Sequence, residues 1–381
     1  MRLYTYQKIA LRHYFILVVL LACTVTDTVA QQEQCHYYDS GSTIDVLVLY
    51  TEAARLDNSS NDINAYIQAN VDTMNNILTK SHAYPRIRVV YTFEVGYDES
   101  DCIDADCTID RILNRSDGYL DEVHVLRDLN QADIVLLYVL CEGCGGVAAC
   151  NRPGGDKYIL DPNGGFTVVA SDWELYRLWG TAHEIGHIMG CGHNRDAEYK
   201  SPGYPINCRS WSYSYGYDFI GDSGQWNCTI MSYGPTLCGA IVGGLPCKLW
   251  DPNDCPDCNH LNNKPFTIPY FSNPDVYFDG RPTGLPAGDP NAANCVLTIN
   301  TTAYDVANYR QSSESRWVDF AYSGTDEHGC YEHPYNTLGE GVTKVPDGGT
   351  LIFKPGSTLE TRTINQHITL DAHGGTVRIG G

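Results

Sequence analysis

Basic residues are scarce in this chain of 381 residues, in which 25 lysines and arginines stand against 46 aspartates and glutamates. The formal charge of −21 argues against nucleic acid or an anionic membrane surface as a partner, because both would repel the protein. No basic run offsets this charge. The apolar fraction of 43% and the 27 tyrosines are typical of a globular protein rather than a disordered one.

Long apolar runs are also missing, and the one candidate, Tyr14 to Ala22, is too short to span a bilayer comfortably. Basic residues precede this run and small residues follow it up to Ala30. The pattern predicts a secretory signal peptide over residues 1–30, and therefore export of the mature chain without a membrane span. A minority alternative is a lipid anchor at Cys23, because residues 20–23 (LLAC) loosely resemble a bacterial lipobox.

Cysteine is plentiful, with sixteen residues in all and fifteen after cleavage at Ala30. Export would place most of them in disulfides, although the connectivity does not follow from the sequence. Cys102 with Cys107 and Cys255 with Cys258 are the close pairs that we expect to bond. The odd number implies one free or intermolecular thiol.

Strand-like and helix-like patterns alternate up to about residue 190, which predicts an α/β layer. The predicted strands are 43–50, 86–95, 132–140, 146–149 and 166–170. Three helices are predicted. One begins at Asn61 or Asp62, and the other two cover 119–129 and 173–190. The stretch that follows is rich in glycine, proline, asparagine, tyrosine and cysteine, so loops and disulfides should hold it together. From about residue 313, glycine turns separate short strand-like runs, which predicts one or two coils of a β-solenoid.

The most informative motif is HEIGHIMGCGH, over residues 183–193. Positions four apart share a helix face, so His183 and His187 can direct their imidazoles at one metal ion. On a continuous helix His193 would lie about 15 Å along the axis from His183 and about 80° off the shared face. Zinc–nitrogen bonds of roughly 2.0–2.1 Å forbid that arrangement. The helix must therefore end and fold back, and Gly190 can take the left-handed conformation that this requires.

Three neutral imidazoles leave the fourth position of one Zn²⁺ ion open to water, which indicates a catalytic rather than a structural site. The metal would lower the pKa of that water from ~15.7 towards ~7 and polarise the scissile carbonyl. Glu184 is then the general base that takes the proton and passes it to the leaving amine. An isolated H-E-x-x-H can also be a helix with two ordinary histidines, but the eleven-residue string is far more specific. The sequence does not indicate whether calcium binds.

The string resembles the extended zinc signature of the metzincin metallopeptidases, which carry a methionine in a tight turn beneath the metal. CTIMSYG, at residues 228–234, supplies Met231 for that turn. Tyr233 matches the tyrosine that astacins and serralysins use as an extra ligand or oxyanion donor. The alternative for Tyr233 is a tyrosine packed in the lower lobe.

Three further stretches, VLVLYTEAAR, VLRDLNQADIVLLYV and YFSNPDVYFDGRPTGLP, are similar to bacterial-type, reprolysin-like secreted metallopeptidases. The resemblance implies a metzincin-like α/β (α+β) domain over residues 31–312, with a mixed five-stranded sheet, an active-site helix and an irregular, disulfide-stapled lower lobe. It also implies a substrate-binding edge strand at Gly146 followed by Val147, Ala148 and Ala149. The family usually places Asp directly after the third histidine, whereas this chain has Asn194. We predict that Asn194 or Asp196 takes that role through side-chain hydrogen bonds.

Residues 313–381 resemble the start of the right-handed β-helix domains of pectin-lyase-like proteins, in VPDGGTLIFKPGS and ITLDAHGGTVRIG. The resemblance implies a short all-β solenoid-like segment that contacts cell-surface polysaccharide or acts as a spacer. The chain as a whole is expected to be a secreted zinc endopeptidase acting on protein or peptide substrates in extended conformation. The alternative is a non-catalytic extracellular adhesion or carbohydrate-binding module with a structural metal.

Overall fold

The computed structural model describes residues 37–57, 62–102, 104–141, 145–149, 161–171, 179–200, 208–233, 241–242, 245–246, 266–311 and 314–381. The predicted signal peptide (1–30), the lipid anchor at Cys23 and the pair Cys255–Cys258 lie outside these residues, as does the predicted domain boundary at 312/313. In the described part of the chain, no helix has the length and apolar character needed to cross a membrane.

A mixed five-stranded sheet forms the upper part of the molecule, as predicted. Its strands lie in the order β2-β1-β3-β5-β4; the first four are parallel, and β4 runs antiparallel to β5 at the edge. The strands span Thr43–Thr51 (β1), Arg86–Val95 (β2), Ile134–Val139 (β3), Gly146–Ala148 (β4) and Phe166–Ala170 (β5). The predicted edge strand is thus one residue shorter, although Ala149 still donates its N–H to Phe166 O at 2.9 Å.

The described residues contain eight α-helices. They are Glu52–Asp57 (α1), Ile63–Lys80 (α2), Ala105–Leu113 (α3), Glu122–Leu129 (α4), Gly180–Ile188 (α5), Arg195–Lys200 (α6), Cys295–Val306 (α7) and Leu338–Lys344 (α8). Asp62 begins α2 as an N-cap, since its side chain accepts a hydrogen bond from the N–H of Asn64. Helix α5 begins at Gly180, after Trp179 as the N-cap residue, and ends at Ile188, so it is shorter than the predicted helix 173–190 at both described ends. Residues 173–178 lie outside the described ranges.

Both faces of the sheet are buried at its central strands β1, β3 and β5, which explains why these strands are apolar almost throughout. Val46 and Val48 of β1 point into a core shared with α2 and α5. Leu47 and Leu49 point to the opposite face, into a core shared with α3 and α4. Each fully buried side chain of this kind contributes roughly 1.5–3 kcal/mol relative to exposure. The sheet is therefore a rigid middle layer, and α5 packs directly on it.

Between α5 and the C-terminal segment the chain forms short strands together with helices α6 and α7. The strands are Gly192–Asn194 (β6), Tyr215–Gly216 (β7), Asp218–Ile220 (β8), Trp226–Cys228 (β9), Ile241–Val242 (β10), Leu245–Pro246 (β11), Phe266–Thr267 (β12), Tyr277–Phe278 (β13) and Arg281–Pro282 (β14). Strands β8, β9 and β12 form one small sheet, and β6 pairs with β7. Helix α7 packs beneath α5, where the hydroxyl of Thr302 donates to Met189 O at 2.9 Å.

The cysteines differ from the sequence prediction in one respect. Cys102 and Cys107 form the expected disulfide, and three further described cysteines are disulfide-bonded: Cys141, Cys208 and Cys330. The expectation was one free or intermolecular thiol, whereas the structure holds three free and buried thiols among the described residues: Cys191, Cys228 and Cys295. An odd count requires only that the number of unpaired thiols be odd, so the sequence had no means of choosing between one and three.

The C-terminal segment stacks parallel strands, which is the arrangement that a solenoid requires. Its strands are Ser315–Val318 (β15), Thr350–Phe353 (β16), Gly356–Thr358 (β17), Thr369–Ala372 (β18) and Val377–Ile379 (β19), and all their pairings are parallel. Helix α8, capped by Thr337, is an addition that the strand-like runs did not predict. Trp317 is fully buried and donates its indole N–H to Tyr38 O at 2.6 Å, so the segment packs on the start of the described chain. The pectin-lyase resemblance remains a prediction.

Candidate metal centre

Helix α5 carries the first two histidines of the motif, and every residue of the helix is buried. His183 and His187 lie one turn apart on one side of the helix, with ring centroids 4.8 Å apart. The hydroxyls of Thr181 and Tyr138 share a hydrogen bond of 2.7 Å, which ties the first turn of α5 to strand β3. The sheet thereby fixes the direction in which the two imidazoles point.

The chain reverses immediately after α5 and returns the third histidine. Gly190 has a φ of +89°, in the left-handed region that favours glycine. The N–H of Cys191 donates to Gly186 O at 2.9 Å, and that of Gly190 donates to His187 O at 2.9 Å, so the last helical carbonyls are satisfied. A Cβ on residue 190 would lie 2.0 Å from Ser210 Oγ, so glycine is also required by space. Strand β6 begins two residues later and carries His193.

The three imidazoles converge through their Nε2 atoms. His193 Nε2 lies 3.2 Å from that of His183 and 3.0 Å from that of His187. The Nδ1 atoms of His183 and His187 lie 2.8 Å from Ile230 O and 2.7 Å from Cys191 O. Since a carbonyl only accepts, both Nδ1 atoms carry the proton, and both Nε2 atoms present a lone pair. Facing lone pairs repel unless a cation lies between them, so this set of donors fits a metal ion.

Burial keeps the three rings neutral. It lowers the pKa of His183 to about 4 and that of His187 to about 3, with the charge of His183 adding to the effect on His187. Burial also holds the pKa of His193 well below its ordinary value. At neutral pH the site therefore offers three uncharged nitrogen donors, the form in which histidine binds a metal.

Glu184 lies beside His183 on α5, and only 3% of its surface is exposed. Burial raises the pKa of Glu184 to about 8, and the charge of Asp106 adds to this. Strand β4 passes directly over the carboxylate: a Cβ on residue 146 would lie 2.6 Å from Glu184 Oε1. Gly146 therefore makes room for the side chain, a function that the sequence did not reveal. The predicted edge strand thus lies next to the glutamate.

Met231 packs against α5. It is fully buried, and a Cβ on residue 186 would lie 2.6 Å from its Sδ, so Gly186 permits the turn to pack against α5. Tyr233, two residues on, places its hydroxyl 3.4 Å from His183 Nε2 and its ring centroid 4.3 Å from that of His193. The structure thus brings Tyr233 to the histidines and Met231 to the helix that carries two of them.

Asn194 holds the turn that contains these two residues. Its side-chain oxygen accepts from the N–H of Tyr233 at 3.3 Å, and its amide donates to Asp218 Oδ1 at 3.1 Å. Asp218 also accepts from the hydroxyl of Ser232 and the indole of Trp226, each at 3.3 Å. Asp196 is exposed. The carboxylate beneath the turn is therefore that of Asp218, which lies 24 residues further along the chain and which no motif in the sequence indicated.

Comparisons with known proteins agree with this geometry. The family model described as metallo-peptidase family M12 matches residues 40–234, which is 195 of 381 residues. Proteins named peptidyl-Asp metalloendopeptidase are similar to this chain. One from Stenotrophomonas maltophilia (strain R551-3) is 26% identical, in an alignment that covers 69% of this chain and 52% of the relative's own length. The one from Pseudomonas aeruginosa is 26% identical, in an alignment that covers 76% of this chain and 43% of the relative's own length.

The chain thus spans about half the length, or less, of these curated relatives. Among solved structures, a chain described under "Structure of a chaperone-substrate complex" aligns with a TM-score of 0.47 at 16% identity. The alignment covers 71% of this chain and 39% of that one.

Proposed function

The chain belongs to metallo-peptidase family M12, and from that premise we propose that it is a secreted zinc endopeptidase. Its substrates are proteins or peptides bound in extended conformation. The observation that carries the proposal is the meeting of three neutral imidazoles beside a buried carboxylate, that of Glu184. A site that served only to hold the fold together would have no need for a carboxylate at that position.

One Zn²⁺ ion would be held by His183, His187 and His193. Three nitrogen donors with an open fourth position are typical of catalytic zinc, whereas structural zinc sites are closed by a fourth protein ligand. Bound there, zinc would supply a lowered pKa for the attacking water and polarisation of the scissile carbonyl. The carbonyls of Ile230 and Cys191 keep two of the rings in the required tautomer and orientation.

Proton transfer is the role proposed for Glu184. Its carboxylate accepts a proton from the attacking water and passes it to the nitrogen of the leaving amine. Burial between α5 and β4 separates that proton from bulk solvent and limits the rotamers open to the side chain. Tyr233, with its hydroxyl close to the histidines, is placed to donate a hydrogen bond to the substrate oxygen as negative charge develops there.

Strand β4 is the proposed substrate-binding strand. It lies at the edge of the sheet, is paired with β5 on one side, and passes over Glu184. An extended peptide can add to such an edge as a further strand through main-chain hydrogen bonds. Since the curated relatives carry the name peptidyl-Asp metalloendopeptidase, peptides containing aspartate are the first substrates to compare. Nothing in the described C-terminal segment identifies a polysaccharide site, and polysaccharide contact is not part of the proposal.

The test is a cleavage assay on casein and on a peptide library with mass-spectrometric mapping of the products. We expect cleavage by the wild type, loss of cleavage with a chelator, and recovery when zinc is restored. Glu184→Gln should reduce kcat by at least about 10³-fold while retaining zinc, in the range seen when a catalytic group is removed. The matched control is Glu122→Gln, which changes an exposed glutamate on α4. A zinc-loaded wild type that cleaves nothing, or a Glu184 variant as active as the control, would refute the proposal and favour a structural metal.

A further inference from the structure

Two of the buried free thiols lie next to each other under the metal centre. The thiol of Cys191 donates to the backbone oxygen of Cys295, with Sγ and O 3.7 Å apart. Both residues are fully buried. Cys191 lies in the turn between α5 and His193, and Cys295 is the first residue of α7. The contact therefore connects the turn that carries the third histidine to a helix 104 residues further along the chain.

The surrounding contacts hold the two backbones in this position independently of the sulfur atoms. The hydroxyl of Thr302 on α7 donates to Met189 O at 2.9 Å, which fixes α7 against the end of α5. The N–H of Cys295 donates to Ser272 Oγ at 2.9 Å, and the N–H of Cys191 donates to Gly186 O at 2.9 Å. The fold itself thus brings the Cys191 side chain to Cys295. Cys228, the third free thiol among the described residues, instead has Asp218 and Ser232 beside it.

We propose that Cys191 and Cys295 are oxidised to a disulfide in the exported protein, and that this bond fastens the turn before His193 to the start of α7. The inference rests on the export that is part of the proposed function, because disulfides persist in oxidising compartments. It adds a covalent modification to the described disulfides and leaves Cys228 as the free buried thiol of this region.

The oxidant is a disulfide, either of a low-molecular-weight thiol or of a thiol oxidoreductase. The Cys191 thiolate attacks one sulfur of that disulfide, forming a mixed disulfide and releasing the first oxidant thiol. The Cys295 thiolate then attacks the Cys191 sulfur, forming the Cys191–Cys295 bond and releasing the second oxidant thiol. The two protons of the protein thiols end on the two oxidant thiols. Since both cysteines are buried in the folded chain, this exchange takes place before the turn closes over them.

The consequence is a restraint on the third metal ligand. His193 is two residues from Cys191, so a bond to α7 limits how far the turn can open and release its imidazole. We expect the disulfide-bonded protein to lose zinc to a competing chelator about tenfold more slowly than the same protein with both cysteines changed to serine, a size typical of residues that support metal ligands.

The test is a disulfide map of the full chain, exported to a bacterial periplasm and proteolysed without reduction after alkylation in denaturant. We expect the peptide containing Cys191 to be linked to the one containing Cys295, while Cys228 carries the alkylating group. In Cys295→Ser, Cys191 should become alkylated, and the chain should gain one label. The wild-type map does not depend on the folding of any variant.

Alkylation of both Cys191 and Cys295 in the exported wild type would overturn the proposal, as would a bond from Cys191 to another cysteine. Refolding the purified chain in a glutathione redox buffer repeats the map without relying on export. If Cys191 and Cys295 are linked in a chain that cleaves no substrate, the proposed peptidase activity is refuted and the disulfide is supported. If a chain in which both thiols are free cleaves substrate, the disulfide is refuted and the peptidase activity is supported.

Discussion

Asn194 donates a hydrogen bond to Asp218 across 3.1 Å, and through it a carboxylate from a different strand supports the turn beneath the metal centre. The same amide side chain accepts from the N–H of Tyr233. Reprolysin-like chains usually place a carboxylate directly after the third histidine, where this chain has an amide. The carboxylate here is that of Asp218, on a strand of another small sheet, and the amide links it to the turn.

This relationship predicts the outcome of a charge exchange. Asn194→Asp would put two carboxylates side by side in a buried place, where burial already raises the pKa of Asp218. We expect a loss of about 2 kcal/mol in the free energy of unfolding, since two carboxylates in one site cannot both ionise. Adding Asp218→Asn should restore most of it, because one acid and one amide are again present. Thermal unfolding and zinc content measure both effects.

The control for this exchange is Asp196→Asn, which changes an exposed carboxylate near the same turn and should leave stability within about 0.5 kcal/mol. If the double variant were as unstable as Asn194→Asp alone, the two residues would not act as a pair.

Gly190 is predicted to be sensitive for two separate reasons. Alanine in the left-handed region costs roughly 1–2 kcal/mol, and its Cβ would also lie 2.0 Å from Ser210 Oγ. We expect Gly190→Ala to destabilise the protein by about 2–3 kcal/mol and to weaken zinc retention. Gly224→Ala is the matched control, because Gly224 has a φ of +82° but open space around its Cβ. Equal losses in the two variants, measured by chemical denaturation, would show that the contact with Ser210 is unimportant.

Gly146→Ala should impair chemistry without removing the metal. The new Cβ would lie 2.6–2.9 Å from three atoms of the Glu184 side chain, so the carboxylate must leave its position. A displaced catalytic group costs on the order of 10²-fold in rate, so we expect kcat to fall by that factor with one zinc ion still bound. Gly96→Ala, at an exposed glycine with open space around it, should retain full activity. Loss of zinc from Gly146→Ala would contradict this interpretation.

The pH dependence of stability in chelator-treated protein should report the burial of Glu184. Its folded pKa of about 8 lies above its ordinary value of 4.5, so the folded state keeps a proton that the unfolded state releases. The stability that this contributes is full below about pH 4.5 and is lost as the pH rises towards 8. The histidines contribute equally to the pH dependence of stability in the wild type and in Glu184→Gln. Because residue 184 of the variant cannot ionise, the difference between the two proteins reports Glu184 alone.

The free energy of unfolding of metal-free Glu184→Gln should therefore rise relative to that of the wild type between pH 4.5 and 8 and then stay constant. The difference should reach a few kcal/mol, since each pKa unit corresponds to about 1.4 kcal/mol. Glu122→Gln, at an exposed site, should show no such trend. A difference that does not change with pH would mean that Glu184 ionises in the folded state as it does in water.

The layered fold followed from local patterns. Val46 and Leu47 belong to a run of apolar residues that can all be buried only in a sheet covered on both faces. Helix α2 has apolar residues at helical spacing, with Asp62 as its N-cap. These features depend on neighbouring residues, so they can be read from the chain. The short helix α8 escaped prediction because its seven residues give too little periodicity.

The sequence by itself determined the three histidines, the glutamate and the requirement for Gly190, because a fixed helical rise leaves only one way to bring residues 183 and 193 together. Only the tertiary structure decided which carboxylate supports Asn194, that Gly146 lies over Glu184, and that Cys191 meets Cys295. Each of these contacts joins elements far apart in the chain, and no local spacing records them. Their partners are set by how the sheet, α5 and α7 pack, which depends on the whole core.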